Sequence, residues 1–307
     1  MTSPDESAIL VEGPWTHRTV RANGIALHVA ELGTGPLVLL LHGFPTFWWT
    51  WHRQLVDLAE AGYRAVAVDL RGYGGSDKPP RGYDATTLAA DIAQLVTALG
   101  EADAVLVGND LGGLLAWTVA AQQPQVVRRI AVLGAAHPLR LRRAALTDWR
   151  GQRRASSYAL TTFQWPRYGE RLLTRDDRYL RRLFDSWCGP GWPARPDYLS
   201  TVERYAEAIR IHPVAHCSLE FFRWAVRSIP RPDGRAYAES MRRPIERPVL
   251  QLHGERDGCV LAGTAQGSSR YVSADYEWRL LPGDGHFPQH ETPERVSAEL
   301  IRWAKLG

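Results

Sequence analysis

The chain has 307 residues, 45% of them hydrophobic, with a net charge of +4 and a sequence pI near 9.1. That is enough apolar material for a large folded core, and no apolar run approaches the roughly 18 residues needed to span a bilayer. The small net charge, without Lys/Arg runs interleaved with aromatics, argues against nucleic-acid binding, and three scattered cysteines (Cys188, Cys217, Cys259) argue against a disulfide framework or a zinc site.

The first residues, Met-Thr-Ser-Pro-Asp-Glu-Ser, are polar and acidic where a signal peptide is basic, so a cytoplasmic location is expected. Strand-like apolar runs follow at 25–30 and 37–41, expected to open the fold as an antiparallel pair, and then at 64–69, 104–107, 130–133, 249–253 and 276–281. Most are apolar throughout, as strands buried on both faces are. Helical patterns lie between them at 51–61, 86–99 and 111–123, and a last helix is expected at 293–306 with Thr292 as N-cap and Pro293 at its first position. The alternation predicts an α/β protein with a mostly parallel sheet and helices on both faces.

That rhythm stops at His137-Pro138. Residues 138–245 show helical patterns at 178–186, 198–211 and 217–227 between Pro/Gly-rich turns, with no strand pattern. They hold 21 Arg against 11 acidic residues, net +10, which leaves −6 for the remainder. Residues 138–245 are thus expected to form a helical cap, or lid, inserted into an α/β core of 1–137 and 246–307. Such a cap would sit over the C-terminal strand ends, where open α/β sheets bind ligands. Only two lysines occur (Lys78 and Lys305), so the arginine excess is assigned to composition bias, with docking on an acidic body or attraction of anions as the other reading.

The most informative stretch is Gly108-Asn109-Asp110-Leu111-Gly112, between the run at 104–107 and the helical pattern at 111–123. Strand, sharp turn and helix, with glycines flanking an exposed side chain, are the setting of a nucleophile elbow. Here the elbow carries aspartate instead of serine. A serine needs a base, whereas an aspartate with an unperturbed pKa of about 3.9 is already an anion at neutral pH. A carboxylate attacks ester carbonyls poorly, because the product is a reactive anhydride, but it displaces leaving groups from saturated carbon. Epoxides or alkyl halides are the substrates this chemistry selects.

Three further segments supply what an aspartyl nucleophile needs. His42-Gly43-Phe44-Pro45 follows an early strand, and the main-chain N–H of Phe44, with that of Leu111, is expected to form an oxyanion hole. Asp257 follows the strand at 249–253 and His286 the strand at 276–281, giving the order nucleophile, acid, histidine. His286 would take a proton from the water that attacks the alkyl-enzyme ester, and Asp257 would orient its ring. Glu255 and Asp284 compete with Asp257 as the acid, but Asp284 is only two residues from His286. Trp48, Trp49 and Trp51 either wall a pocket or pack the next helix; Trp48 is assigned to the pocket, and His42 and His253 to loop hydrogen bonds.

The chain resembles the α/β-hydrolase-fold epoxide hydrolases over nearly its full length. The resemblance rests on His42-Gly43-Phe44-Pro45 with Trp48 and Trp51, Ala61-Gly62-Tyr63-Arg64, Asp69-Leu70-Arg71-Gly72-Tyr73-Gly74-Gly75-Ser76-Asp77, Gly108-Asn109-Asp110-Leu111-Gly112-Gly113, and Gly285-His286 before a terminal amphipathic helix. It implies an α/β-hydrolase fold with an inserted helical cap, Asp110 as nucleophile and Asp257 with His286 as the charge-relay pair. Members of the family usually present two cap tyrosines to the epoxide oxygen. Tyr158 stands near the first place, one residue farther from Phe163-Gln164 than the pattern has it, and Phe222 fills the second and cannot donate. His216, Tyr168 and Tyr205 are the substitutes, and Phe222 is then a pocket residue. Asn109 and Leu111 stand where the family often shows His and Trp.

Haloalkane dehalogenases share the Asp, His and acid but hold halide with N–H donors from a Trp after the nucleophile and an Asn in the early loop. Here those places hold Leu111 and Phe44, and the Arg that haloacid-type members carry after the nucleophile is absent too. A third reading is a catalytically lapsed protein that only binds a small ligand; the intact Asp110, Asp257 and His286 argue against it. The expected partner is a small-molecule epoxide, with no metal or organic cofactor and no nucleic acid. The oligomeric state, a homo-oligomer included, is left open.

Overall fold

Short apolar runs with β-branched residues form the strands of one sheet. The computed structural model describes residues 6–306 and contains β1 (Thr16–Ala22), β2 (Ile25–Leu32), β3 (Leu37–Leu41), β4 (Arg64–Val68), β5 (Ala104–Asn109), β6 (Val127–Leu133), β7 (Val249–Gly254) and β8 (Tyr276–Leu281). Their order across the sheet is β1-β2-β4-β3-β5-β6-β7-β8. Strands β3 to β8 are mutually parallel. Every residue of β3 and β5 is buried, so both faces must be covered by helices.

The start of the sheet differs from expectation. Strand β2 pairs antiparallel with β1 and with β4, while β3 belongs to the parallel set. Strand β1 carries mostly exposed polar side chains, so no apolar run marks it. Its one signal is the Asn23-Gly24 turn, where both residues take positive φ (48° and 76°) as a tight hairpin requires.

Helices α1 (His52–Glu60), α2 (Ala85–Ala98) and α3 (Leu111–Gln122) connect the first strands. The Asp84 side chain caps α2 by accepting the Thr87 N–H at 2.9 Å. Helix α3 is buried nearly all round, as a helix packed into the middle of a core must be. Between β6 and β7 the described residues form helices only: α4 (Pro138–Thr147), α5 (Gln152–Ala155), α6 (Ser157–Leu160), α7 (Tyr168–Arg175), α8 (Asp177–Trp187), α9 (Asp197–Arg210), α10 (Val214–Arg227) and α11 (Pro232–Ser240), with short 3-10 turns. The chain then adds α12 (Ala262–Gln266), α13 (Pro288–Glu291) and α14 (Pro293–Lys305). Thr292 stands at the N-cap of α14 but its hydroxyl does not cap; it donates to the carboxylate of Asp284. Among the described residues no helix is long and apolar enough to cross a membrane.

Between β5 and α3 the chain reverses within one residue. Asp110 takes φ 50° and ψ −115°, a conformation that L-residues seldom adopt. Its neighbours must be glycines on packing grounds: a Cβ on Gly108 would lie 2.2 Å from the Gly112 carbonyl oxygen, and one on Gly112 would lie 2.1 Å from that of Leu41. Gly108→Ala is therefore expected to cost about 1–3 kcal/mol of stability through overpacking. Urea unfolding reads this directly, and an unchanged midpoint would contradict the packing described.

Candidate active site

The parallel strands deliver their C-terminal ends to one edge of the sheet, and the singled-out polar residues follow those ends. His42-Gly43-Phe44 leaves β3, Asp110 leaves β5, Asp257 leaves β7 and His286 leaves β8. The Asp110 carboxylate accepts the Phe44 N–H through Oδ2 at 2.8 Å, and its Oδ1 lies 3.6 Å from His286 Nε2. On the far side of the ring, His286 Nδ1 lies 2.9 Å from Asp257 Oδ2. A carboxylate oxygen only accepts, so Nδ1 carries the proton and Nε2 faces Asp110. Leu111, next in the chain, is the first residue of α3, its side chain buried.

Asp257 is itself fixed: its Oδ1 accepts the N–H groups of Cys259 and Val260, each at 2.8 Å. Glu255 accepts the Gly283 N–H and Asp284 the Thr292 hydroxyl, so the structure brings Asp257 to His286 and turns both competing acids elsewhere. His286 is fully buried, which opposes a charge on the ring, but the Asp257 carboxylate and Asp110 beside it hold its pKa well above the usual range. Among the described residues Nε2 has no hydrogen-bond partner. His42 and His253 have the loop-holding contacts expected of them: His42 Nε2 accepts the Leu70 N–H, and His253 Nε2 donates to Val260 O.

A cavity of about 180 Å³ opens beside Asp110. Tyr158 and Phe222, from α6 and α10, line it with Cys259, Leu139 and Trp224, and most of its wall is apolar. The Tyr158 hydroxyl lies 3.1 Å from Cys259 Sγ. Burial, with the nearby Cys259 and Asp110, pushes the Tyr158 pKa well above its ordinary value, so the phenol keeps its proton. Phe222 meets Phe44 edge-on at 5.2 Å, and Phe163 does so at 5.4 Å.

Two expectations fail here. Trp48 does not line the cavity: it is fully buried, donates its indole N–H to Ile9 O, and packs edge-on against Trp15 and His17. It anchors the N-terminal segment, because an indole at the core side of that loop is held by its own N–H bond. The substitutes for a second tyrosine also lie elsewhere. Tyr205 is 2.6 Å from His290 Nε2, His216 pairs with Glu170 at 3.1 Å, and Tyr168 is exposed.

Glu291 had no sequence signal. Its carboxylate accepts the N–H groups of Gly189, Gly285 and Phe287 at 2.8, 2.7 and 3.0 Å, tying the turn after α8 to both neighbours of His286. Asn109 adds a second tie, donating to the His286 carbonyl at 2.9 Å.

An acid on a strand–helix elbow, faced by an acid–histidine pair from later parallel strands, is the arrangement of an α/β hydrolase. A family profile for the alpha/beta hydrolase fold matches residues 36–293. The AB hydrolase superfamily protein YfhM of Bacillus subtilis is 40% identical over 293 residues, covering 93% of this chain and 96% of its own. Epoxide hydrolase 4 of Mus musculus is 31% identical over 299 residues, covering 95% and 79%. Among solved structures, an epoxide hydrolase from Vigna radiata superposes with a TM-score of 0.80 at 26% identity, covering 95% of this chain and 98% of that one. The chain belongs to the α/β-hydrolase-fold epoxide hydrolase family.

Burial pushes the Glu291 pKa up to about 7 against three N–H donors that lower it. A carboxyl raised in the folded state contributes stability that is present at low pH and lost as pH rises from its ordinary 4.5 to about 7. Glu291→Gln stays neutral throughout, so the wild type should lose up to about 3 kcal/mol relative to this variant across that window. Parallel stability–pH curves would contradict the assignment.

Proposed function

We propose that this protein hydrolyses epoxides to vicinal diols through an ester on Asp110. The observation that carries the reading is the Asp110 carboxylate itself, with one oxygen on the Phe44 N–H and the other free toward the cavity and His286. In the first step Asp110 Oδ1 attacks an epoxide carbon, the C–O bond breaks, and the Tyr158 hydroxyl gives its proton to the leaving alkoxide. Oδ2 then becomes the ester carbonyl, already placed on a backbone donor.

In the second step a water between His286 Nε2 and the ester attacks that carbonyl. His286 takes its proton, Asp257 stabilises the imidazolium, and the Phe44 and Leu111 N–H groups receive the developing oxyanion. Collapse expels the diol as an alkoxide, which takes the proton held by His286, and the acid proton left on Asp110 returns to the Tyr158 phenolate, restoring the carboxylate and the phenol. Esterification also removes one of the negative charges that favour a protonated His286, so the ring's affinity for a proton falls and it is more readily in the neutral form that can accept one from water.

Tyr158 acts as the single acid, since Phe222 fills the other wall and cannot donate. This favours an epoxide over an alkyl halide: a hydroxyl faces the site, while the residues that would need side-chain N–H donors for halide are Leu111 and Phe44. Residues 138–245 serve as a cap over a core of 1–137 and 246–307, a division supported by the contribution of Tyr158 and Phe222 to the cavity wall. The apolar lining suits an apolar epoxide. The complete acid, histidine and nucleophile set speaks against a lapsed, ligand-sensing role.

Incubation with a panel of apolar epoxides should yield diols. Asp110→Ala should abolish turnover, and Tyr158→Phe should lower kcat by about 10²–10⁴-fold, the usual contribution of a general acid. Full activity in Asp110→Ala would overturn the proposal.

A further inference from the structure

The proposed cycle does not use Cys259, yet the fold sets its thiol inside the site. Its N–H bond to Asp257 turns the loop back across the acid–histidine pair. One ligand atom each from Asp110, Cys259 and His286 then lie within 4.8 Å of one another. We propose that this trio is a binding site for a borderline-soft divalent cation, zinc(II) foremost, whose capture reversibly inhibits the enzyme. The three cysteines are too scattered in sequence to form a zinc site with one another, but Cys259 meets residues brought in from other strand ends.

Three observations support the site independently of the thiol. His286 Nε2 is fully buried, has no hydrogen-bond partner among the described residues, and lies 3.6 Å from Asp110 Oδ1. Its other nitrogen is held by the Asp257 carboxylate, which is how metal-ligating histidines are oriented and made more basic. The 3.6 Å between Nε2 and Asp110 Oδ1 already suits two ligands on one ion: tetrahedral bonds of about 2.0–2.3 Å put ligand atoms roughly 3.3–3.8 Å apart. The thiol supplies the preference for zinc over magnesium, because thiolate and imidazole suit zinc whereas magnesium takes oxygen ligands in octahedral geometry. A fourth position opens to the cavity that Asp110 and Cys259 both line.

On binding, the Cys259 S–H bond breaks and a sulfur–zinc bond forms, and the thiol proton, with any proton on Nε2, passes to the buffer. No redox change is involved. The ion then occupies the carboxylate proposed to attack and the nitrogen proposed to accept a proton, so turnover stops. The assignment of those two roles is the reading given above; the coordination itself does not depend on it.

Two measurements test the site, both on the whole chain freed of metal. Cobalt(II) should give a thiolate-to-metal charge-transfer band in the wild type that is absent in Cys259→Ser and Cys259→Ala. Zinc chloride should inhibit diol formation, chelator should restore it, and magnesium should not inhibit. The zinc concentration for half-inhibition should rise by more than about tenfold in both Cys259 variants, each measured against its own metal-free rate, and stay unchanged in Cys217→Ala, which lies outside the trio. No thiolate band, or equal zinc sensitivity in the Cys259 variants, would overturn the proposal. Because the cobalt band requires no turnover, it stands or falls separately from the epoxide reading.

Discussion

Everything at the site depends on a backbone bend at one residue. Asp110 sits at φ 50° between a strand and a helix that approach so closely that neither Gly108 nor Gly112 has room for a Cβ. A non-glycine residue in such a conformation costs on the order of 1–3 kcal/mol, which persists only where the surroundings over-determine it. Here they do. The Asp110 N–H donates to Leu133 O on the neighbouring strand, and its carbonyl accepts the Leu114 N–H in the first turn of α3. The carboxylate is thereby pushed off the sheet edge toward the Phe44 N–H, and the register of β3 against β5, Leu41 beside Gly108, puts that donor within reach.

The same strand edge concentrates charge where water is scarce. Two carboxylates flank one imidazole, and each is held by donors that leave little freedom: Asp257 by two backbone N–H groups, Asp110 by one. Around them Glu291 and Asn109 hold the His286 loop from opposite sides, one through N–H groups and the other through a carbonyl. Preorganised donors and dipoles of this kind need no rearrangement when charge moves during a reaction. Phe222 on the cavity wall, packed edge-on against Phe44 and Phe163, keeps the surroundings apolar, which strengthens those interactions.

Much of this was legible in residues alone, where local chemistry and tertiary role coincide. A Gly-x-Asp-x-Gly elbow between an apolar run and a helical pattern points to one local structure, and strand β3 appears at its expected bounds because a parallel strand buried on both faces must be apolar from end to end, whereas β8, at the sheet edge and carrying Glu277 and Arg279, is marked only by its flanking apolar and aromatic residues. Strand β1 has no apolar signature because an exposed edge strand has polar side chains, leaving only Asn23-Gly24 to mark the hairpin. The place of Trp48 is hidden in sequence for another reason: an aromatic cluster does not say which way its rings face, and here an N–H bond to Ile9 O settles it. Glu291 and Cys259 act through groups distant in sequence or through exact loop shape, which no linear pattern records. The N–H of Gly189, which Glu291 accepts, and the hydroxyl of Tyr158, beside Cys259, come from other parts of the chain, while the N–H of Gly285 reaches Glu291 only through the shape of their shared loop.

The central claim, that the elbow carboxylate becomes covalently bound to an opened epoxide, is tested most directly by intact-mass measurement. A His286→Gln variant incubated with a mixed panel of epoxides and haloalkanes should accumulate the ester, since the proposed base for its hydrolysis is gone. The expected result is a mass gain equal to a whole epoxide, absent when Asp110→Ala is added. A gain equal to a haloalkane less its hydrogen halide, or an epoxide adduct that survives Asp110→Ala, would contradict it.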